Sequence, residues 1–314
     1  MSDAGWSGHE PVLLSETIAL LEPRSNGLYL DGTLGGGGHA EAILDASSPG
    51  GRLIGLDQDP RAIEYAQKRL ERFGDRVELY ELNFAEIDET PELAGRRLDG
   101  ALLDLGVSSP QIDEKARGFS YQQDAPLDMR MGPRGEPARD LLTRADIDEL
   151  TDVIRSYGEE RHARRIALAI IRERDRDPIR TTGRLREVVE HAVPRSEHPL
   201  KSVARVFQAL RIAVNAELEA LSSGLPQIVD RLADGARLVV ISYHSLEDRI
   251  VKRYFRELAT DCVCPPDFPV CRCDKRSDAT ILTPHPLTAG SSEAEANPRS
   301  RSAKLRAIER RRAA

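Results

Sequence analysis

No apolar run in this chain approaches the length of a membrane-spanning helix, which excludes a protein threaded through a bilayer by helices. The first residues, Met1-Ser-Asp-Ala-Gly-Trp6, are polar and lack the apolar core of a signal peptide, so a cytoplasmic location is expected. There is no internal repeat and no long low-complexity tract, only a short polar linker from Ala289 to Asn297. Positive charge is not in excess. The 45 Lys and Arg face 52 Asp and Glu, a net charge of −7, which argues against indiscriminate nucleic-acid binding but allows local basic patches. Cysteine is confined to four residues in one short stretch. What remains is 314 residues, 40% hydrophobic and 31% charged, the makeup of a soluble globular protein with one large domain or two smaller ones.

The most informative stretch is Asp31-Gly-Thr-Leu-Gly-Gly-Gly-Gly-His39. It follows the apolar run Leu28-Tyr-Leu30 and leads into a helical pattern through Ala40, Ile43 and Leu44. A strand that empties into glycines and then a helix suits close backbone approach to a ligand. A second apolar run, Leu53-Ile-Gly-Leu56, ends in Asp57, where one carboxylate can meet two ribose hydroxyls. Gly35-x-Gly37-x-x-Ala40 formally fits a dinucleotide fingerprint. Three features point instead to S-adenosylmethionine. Asp31 precedes the glycines and can reach the cofactor's amino-acid portion. Asp57-Gln-Asp59-Pro60 runs into a helix capped by Asp59, with proline at its first position. A third apolar run, Leu98 to Leu103, ends in Asp104-Leu-Gly-Val-Ser-Ser-Pro-Gln111.

Strand runs near Leu28–Asp31, Arg52–Asp57, Val77–Leu82 and Leu98–Leu105 alternate with helical periodicity such as Ile63, Ala66, Leu70 and Phe73. The pattern predicts an α/β fold with a mostly parallel sheet, whose ligands bind beyond the strands' carboxyl ends. After Gln111 the alternation gives way to a glycine- and proline-rich loop and then to helical stripes. One of these runs as a single long helix from a Ser202 cap to Leu221. The sheet pattern resumes at Arg237–Ser242. The expected organisation is a core over 1–112, an inserted all-helical substrate-recognition domain over 113–205, the rest of the core over 206–290, and a basic C-terminal tail over 291–314.

Between Arg161 and Arg186 the insert carries nine arginines against three acids. A second basic cluster, Arg299, Arg301, Lys304, Arg306, Arg310, Arg311 and Arg312, crowds the C-terminus. Two such segments on an acidic protein suggest focused phosphate contacts, making nucleic acid a better candidate substrate than a small metabolite. The four cysteines, Cys262, Cys264, Cys271 and Cys273, suggest a structural tetrathiolate zinc site rather than disulfides, against the alternative of a loop of reduced thiols. The Cys-x-Cys spacing is tighter than the usual two-residue spacer.

Eight strings together resemble one family: Gly8-His-Glu-Pro-Val-Leu-Leu14, the Asp31–His39 loop, Leu103–Gln111, Gly118-Phe-Ser-Tyr121, Pro126-Leu-Asp-Met-Arg130, Phe207–Asn215, Ile241–Arg249 and Asn297–Arg306. The chain resembles, from about Gly8 to Arg310, the bacterial MraW-type small-subunit ribosomal RNA (cytosine-N4)-methyltransferase family. The resemblance implies a class I S-adenosylmethionine-dependent methyltransferase fold, Rossmann-like, with an inserted helical domain. It implies a target cytidine in the decoding region of small-subunit ribosomal RNA, within the small ribosomal subunit. Position by position, it implies cofactor contacts at Gly37, Gly38, His39, Asp57, Phe84, Asp104 and Gln111, with Asp57 on the ribose and Phe84 beside the adenine. Gly36 stands where family members commonly carry a different residue, a departure expected to loosen the loop. The four cysteines are not required by the family pattern.

Methyl transfer to an amine is an in-line displacement, and cytosine N4 is a poor nucleophile because its lone pair is delocalised. An acceptor for its N–H would stabilise charge as it develops. Asp104 is the candidate catalytic acceptor, although Asp104-Leu-Gly-Val-Ser-Ser replaces the Asp/Asn/Ser-Pro-Pro-aromatic motif usual in N4-cytosine enzymes. The target base must leave its stack, and Phe119, Tyr121, Tyr243 and His244 are candidates to meet it. Three alternatives stay open: a nicotinamide-dependent oxidoreductase, a non-catalytic RNA-binding platform, and a DNA methyltransferase.

Overall fold

A computed structural model of the chain describes residues 11–194, 198–264, 270–273 and 275–311. The N-terminal residues 1–6, Gly8, His9 and Glu10 of the first motif, the middle of the cysteine segment (265–269) and Arg312 lie outside the described residues. Contacts divide the described residues into two compact units, one falling within 11–106 and 218–311 and the other within 107–217.

In the first unit the five expected strands form as β1 (Leu28–Asp31), β2 (Arg52–Leu56), β3 (Val77–Tyr80), β4 (Leu98–Asp104) and β5 (Leu232–Ser242). Two further strands, β6 (Ala279–Ile281) and β7 (Lys304–Arg310), complete a seven-stranded sheet ordered β3-β2-β1-β4-β5-β7-β6. Strands β1 to β5 pair in parallel, and β7 runs antiparallel between β5 and β6. This is the mostly parallel, Rossmann-like sheet of the class I methyltransferase fold.

Strand side chains alternate between two apolar layers. Leu28, Leu30, Ile54, Leu103, Val240 and Ile308 join Leu221, Leu225 and Ile228 of helix α10 (Glu217–Arg231) and Val251 and Phe255 of α11 (Ser245–Leu258). On the opposite face Tyr29, Leu53, Leu102, Val239, Leu305 and Ala307 pack with Leu21, Ile43, Leu44, Ala66 and Leu70. Those last residues come from α1 (Leu14–Leu21), α2 (Gly38–Ala46) and α3 (Pro60–Leu70). The expected cap of α3 is present, with the Asp59 carboxylate accepting from the Arg61 N–H at 3.1 Å and Pro60 at the first helical position.

The segment expected as a basic tail is different. It holds α12 (Ser291–Ala296) and then β7, which lies inside the sheet. Its cations are spent on the fold: Arg306 is 7% exposed and donates to Asp248 at 2.7 Å. Lys304 reaches the same carboxylate at 3.6 Å, and Arg310 donates to the Val229 carbonyl at 2.9 Å. Charged residues at 304, 306, 309 and 310 mask a strand whose apolar members Leu305, Ala307 and Ile308 are fully buried.

The second unit is the all-helical insert. It runs from Val107 to Glu217, wider than the expected 113–205 at both ends. It contains α4 (Ser109–Asp113), α5 (Ala138–Arg144), α6 (Ile147–Gly158), α7 (Ala163–Arg174), α8 (Thr182–Ala192) and α9 (Pro199–Asn215). The expected stripes converge in one core with Leu150, Ile154, Ile166, Ile170, Leu185, Val189, Val206 and Leu210. Ser202 is not a cap but sits buried within α9, hydrogen-bonded to the Glu160 carboxylate. The single helix expected to run to Leu221 is two, because Ala216 takes a left-handed conformation (φ 48°) that ends α9, and α10 starts at Glu217.

At the end of α9 the Asn215 amide ties down the strap through Met129, itself left-handed at φ 65°. Its carbonyl oxygen accepts from the Met131 N–H at 2.7 Å, and its NH2 donates to the Met129 carbonyl at 2.7 Å. Replacing Asn215 with Ala strands both groups beside two buried methionines, and should destabilise the insert by about 2 kcal/mol. Hydrogen exchange at the Met131 amide, slow in the parent and fast in the variant, would check this; unchanged protection would show that the strap is held otherwise.

Candidate active site

The carboxyl ends of three neighbouring parallel strands each deliver an aspartate. Asp31 closes β1, Asp104 closes β4, and Asp57 follows β2 directly. The glycine loop passes between them. Gly32 donates its N–H to the Leu102 carbonyl at 2.9 Å, and Leu34 donates to the Leu56 carbonyl at 2.9 Å, so the loop is stitched to both flanking strands. Gly37 adopts φ 73° before α2 begins, a conformation glycine enters without steric cost. At Gly38 a Cβ would meet Pro11 at 2.4 Å, so that glycine admits a protein neighbour rather than leaving open space. The looseness expected at Gly36 is opposed by Arg69, which donates to the Gly36 carbonyl at 3.3 Å while paired with Glu41 at 2.8 Å.

Asp57 does structural work from both oxygens. One accepts from the Gly35 N–H at 2.8 Å and the other from the Asp59 N–H at 2.8 Å. The Gly37 N–H is also engaged, with the Leu34 carbonyl at 2.8 Å. Two N–H groups of the loop that a dinucleotide's pyrophosphate would need are therefore already used inside the protein. Asp31 is 1% exposed; one oxygen accepts from the Thr33 N–H at 3.2 Å, and the other has no hydrogen-bond partner among the described residues. Burial pushes its pKa up to about 7, with the Asp104 and Asp57 charges adding to the shift against the Thr33 hydrogen bond.

Asp104 is held from several sides. Its N–H donates to the Thr33 hydroxyl at 2.5 Å, and one carboxylate oxygen accepts from the Tyr243 hydroxyl at 2.8 Å. The other lies 3.8 Å from Nδ1 of His39, while Nε2 of that ring contacts the Val12 carbonyl at 3.0 Å. A carbonyl can only accept, so that contact puts a proton on Nε2. Burial lifts the Asp104 pKa to about 7, opposed by the Tyr243 hydrogen bond and helped by the nearby Glu247 charge. Tyr243 is pushed well above its ordinary value by burial and then by the Asp104 charge, so it stays a hydrogen-bond donor.

Phe84 opens a helical turn (Phe84–Glu89) capped by Asn83, whose side chain accepts from the Ala85 N–H at 2.9 Å. Its half-buried ring lies against Gly224 of α10, where a Cβ would come within 2.7 Å of it. His244 is the N-cap of α11, with Nδ1 3.4 Å from the Glu247 N–H. Gln111, Phe119 and Tyr121 belong to the insert. Gln111 is buried and accepts from the Ser108 N–H at 3.0 Å, Phe119 has the Arg117 guanidinium 5.9 Å from its ring centre, and Tyr121 packs edge-on against Phe207 at 5.5 Å. The four cysteines lie in the loop after α11.

Thr33 and Glu247 were missed by sequence reasoning. Glu247 is 2% exposed and accepts from the Tyr243 and His244 N–H groups at 2.9 and 3.3 Å, which fixes both residues after β5. The sequence signal was a capping box, His244-x-x-Glu247, hidden because histidine stands where serine or threonine is usual.

The sequence profile of the MraW methylase family matches residues 6–311. The chain is 52% identical over 310 residues to ribosomal RNA small subunit methyltransferase H of Heliobacterium modesticaldum, an alignment covering 96% of this chain and 98% of that one. Its likeness to the proteins of the same name from Heliobacterium mobile (50% identity over 310 residues) and Pelobacter propionicus (52% over 307) has the same reach, 96% of this chain and 98% of each.

A carboxyl group whose pKa is raised on folding stabilises the fold below its unfolded value of 3.8 and loses that contribution as pH rises through about 7. Asp31→Asn should therefore gain stability over the parent as pH is raised from 4.5 to 7.5, on the order of 4 kcal/mol at the upper end. Denaturation of the ligand-free protein at a series of pH values gives the difference, and a constant offset would mean that Asp31 is ionised throughout.

Proposed function

We propose a specific reaction for this chain, which belongs to the MraW methylase family: transfer of a methyl group from S-adenosylmethionine to the N4 amine of a cytidine in the decoding region of small-subunit ribosomal RNA. The observation that carries the cofactor assignment is the unpartnered buried oxygen of Asp31, flanked by two more carboxylates. Three acids repel a pyrophosphate and attract a cation, and this cofactor brings an ammonium, a sulfonium and a ribose diol. Asp31 would pair with the ammonium, Asp57 would accept from the ribose hydroxyls, and Phe84 would lie against the adenine. Gly37, Gly38 and His39 would complete the cofactor contacts made by this unit. When bound, the cofactor supplies a methyl group made electrophilic by the attached sulfonium.

Asp104 does the work on the substrate side. The Tyr243 hydroxyl occupies one of its oxygens and holds the carboxyl's plane. The other accepts an N–H of the cytosine amine, keeping the nitrogen lone pair on the line of attack. A carboxyl whose pKa lies near 7 can take a proton from the methylated amine at neutral pH. Tyr243 is a positioning residue, since its hydroxyl is committed to the Asp104 carboxylate.

RNA affinity rests on the insert. Arg164 pairs with Asp148 at 3.1 Å, Arg186 with Glu190 at 2.7 Å, and Arg184 with Glu173 and Glu187. Arg165, Arg172, Arg176 and Arg180 are exposed and have no ion-pair partner among the described residues, which supports phosphate contacts there. A cytoplasmic, small-subunit substrate fits such a surface.

The test is transfer of labelled methyl to naked small-subunit rRNA, assembled small subunits and duplex DNA, followed by nucleoside analysis. Label in N4-methylcytidine from RNA is expected, reduced at least 100-fold in Asp104→Asn. Label only in DNA, or none in any acceptor despite cofactor binding, would overturn the reading. Cofactor affinity should also rise with pH, by up to tenfold per unit until about pH 7, as Asp31 ionises. Calorimetric titration of Asp31→Asn should show weaker binding with a shallower dependence on pH, the remainder coming from Asp104.

A further inference from the structure

The cysteine loop is untouched by the methyl-transfer chemistry, and its geometry is specific. Cys262, Cys264, Cys271 and Cys273 bring four sulfurs within 4.8 Å of one another. Individual separations are 3.4 Å (Cys262–Cys271), 3.5 Å (Cys271–Cys273), 3.8 Å (Cys262–Cys273) and 4.0 Å (Cys264–Cys271). A tetrahedron with metal–sulfur bonds of about 2.3 Å has edges of about 3.8 Å. The four sulfurs already sit close to that figure without being bonded to one another.

Two further observations point the same way. The backbone is arranged around the sulfurs as acceptors. Val263 donates its N–H to Cys273 Sγ at 3.4 Å, and Arg272 donates to Cys264 Sγ at 3.3 Å. Each Cys-x-Cys turn thus sends its middle amide to the other turn's last sulfur, a reciprocal pattern. Cys264 adds an N–H to Cys262 Sγ at 3.4 Å. Amides aimed at sulfur offset the negative charge that four thiolates would concentrate. The loop also has no apolar anchor among its described residues, since Val263 and Val270 are 64% and 68% exposed. Neither burial nor weak thiol–thiol hydrogen bonds would hold four sulfurs together in water, whereas a metal ion would supply that energy directly.

We propose that the two Cys-x-Cys turns form a structural tetrathiolate site for one zinc ion, which folds the loop. The four thiols lose their protons to solvent on binding, and no electron is transferred. Four thiolates fill a tetrahedral shell, so the ion has no open position for chemistry. The base of the loop is braced for this from the protein side: Asp261 accepts from the Ser277 N–H at 2.9 Å and meets the Arg311 guanidinium at 3.7 Å. The site is independent of the methyl-transfer assignment.

Metal analysis of the full chain, purified with reductant and without chelator, should find about one zinc per chain. Cys264→Ser combined with Cys271→Ser should lower that at least tenfold. In the parent protein, replacing zinc with cobalt should give the intense visible bands and sulfur-to-metal charge transfer of a tetrahedral tetrathiolate, a readout that needs no variant to fold. Stripping the metal should speed proteolysis within the loop while leaving the sheet resistant. Absence of zinc together with absence of the cobalt spectrum would overturn the proposal. So would undiminished zinc in the double variant, stoichiometric iron in place of zinc, or fewer than four titratable thiols in metal-free protein as isolated.

Discussion

Desolvation of strand-end carboxylates governs the sheet-bearing unit, with repulsion from Asp104 and Asp57 adding to it at Asp31. A parallel sheet must end its strands somewhere, and β1 and β4 end on aspartates while a third follows β2. Asp31 is fully buried, and Asp57 and Asp104 are half-buried beside it. Each has a different local remedy. Asp57 is anchored by two backbone amides, and Asp104 is tied to a tyrosine that stays protonated. Asp31 has one weak amide contact and one bare oxygen. Its burden of desolvation is therefore relieved by a proton or by a cation. That single fact links the fold's pH response, the choice of cofactor and the sign of charge that the glycine loop faces.

The sign of that charge separates two ligands that a glycine fingerprint alone leaves confounded. In a dinucleotide site the loop's amides face phosphate. Here Asp57 takes the Gly35 amide and the Leu34 carbonyl takes that of Gly37, so the loop's polarity is partly consumed inside the protein. The glycines serve the turn and the close approach of Pro11 more than an anion. What remains for the ligand is an acidic rim, suited to a positively charged molecule with ribose hydroxyls. Counting glycines misses this, because it ignores where each N–H goes.

Much of this was legible in the sequence, and the failures have a common cause. The first five strands and the insert's stripes announced themselves because both faces of the sheet and one face of each helix are apolar. The break at Ala216 was invisible, since alanine normally continues a helix and its left-handed conformation is set by tertiary context. The strand at Lys304–Arg310 was hidden by its charges. Arg306 reads as a phosphate ligand until Asp248, far back in the sequence, is seen to neutralise it. At the site, acids at strand ends were readable from position alone, whereas Thr33 acts on a backbone N–H and Glu247 through a capping box disguised by a histidine cap. The four cysteines were the reverse case: their spacing was plain in the sequence, and their convergence required the fold.

The same accounting explains why an acidic protein can act on a polyanion. Arginines counted along the chain overstate the available positive charge, because most near the C-terminus and several in the insert are committed to internal partners. The residual cations, Arg165, Arg172, Arg176 and Arg180, are exposed and lie in or just beyond one insert helix. A small set of uncommitted arginines gives orientation without the indiscriminate affinity of a uniformly basic surface. In the proposed reaction the carboxylates of the core would serve two ends, holding a cationic cofactor and repelling phosphate from the strand ends. On that proposal, the acids that meet the cofactor's positive charge would also keep the RNA backbone away while an extruded base reaches Asp104.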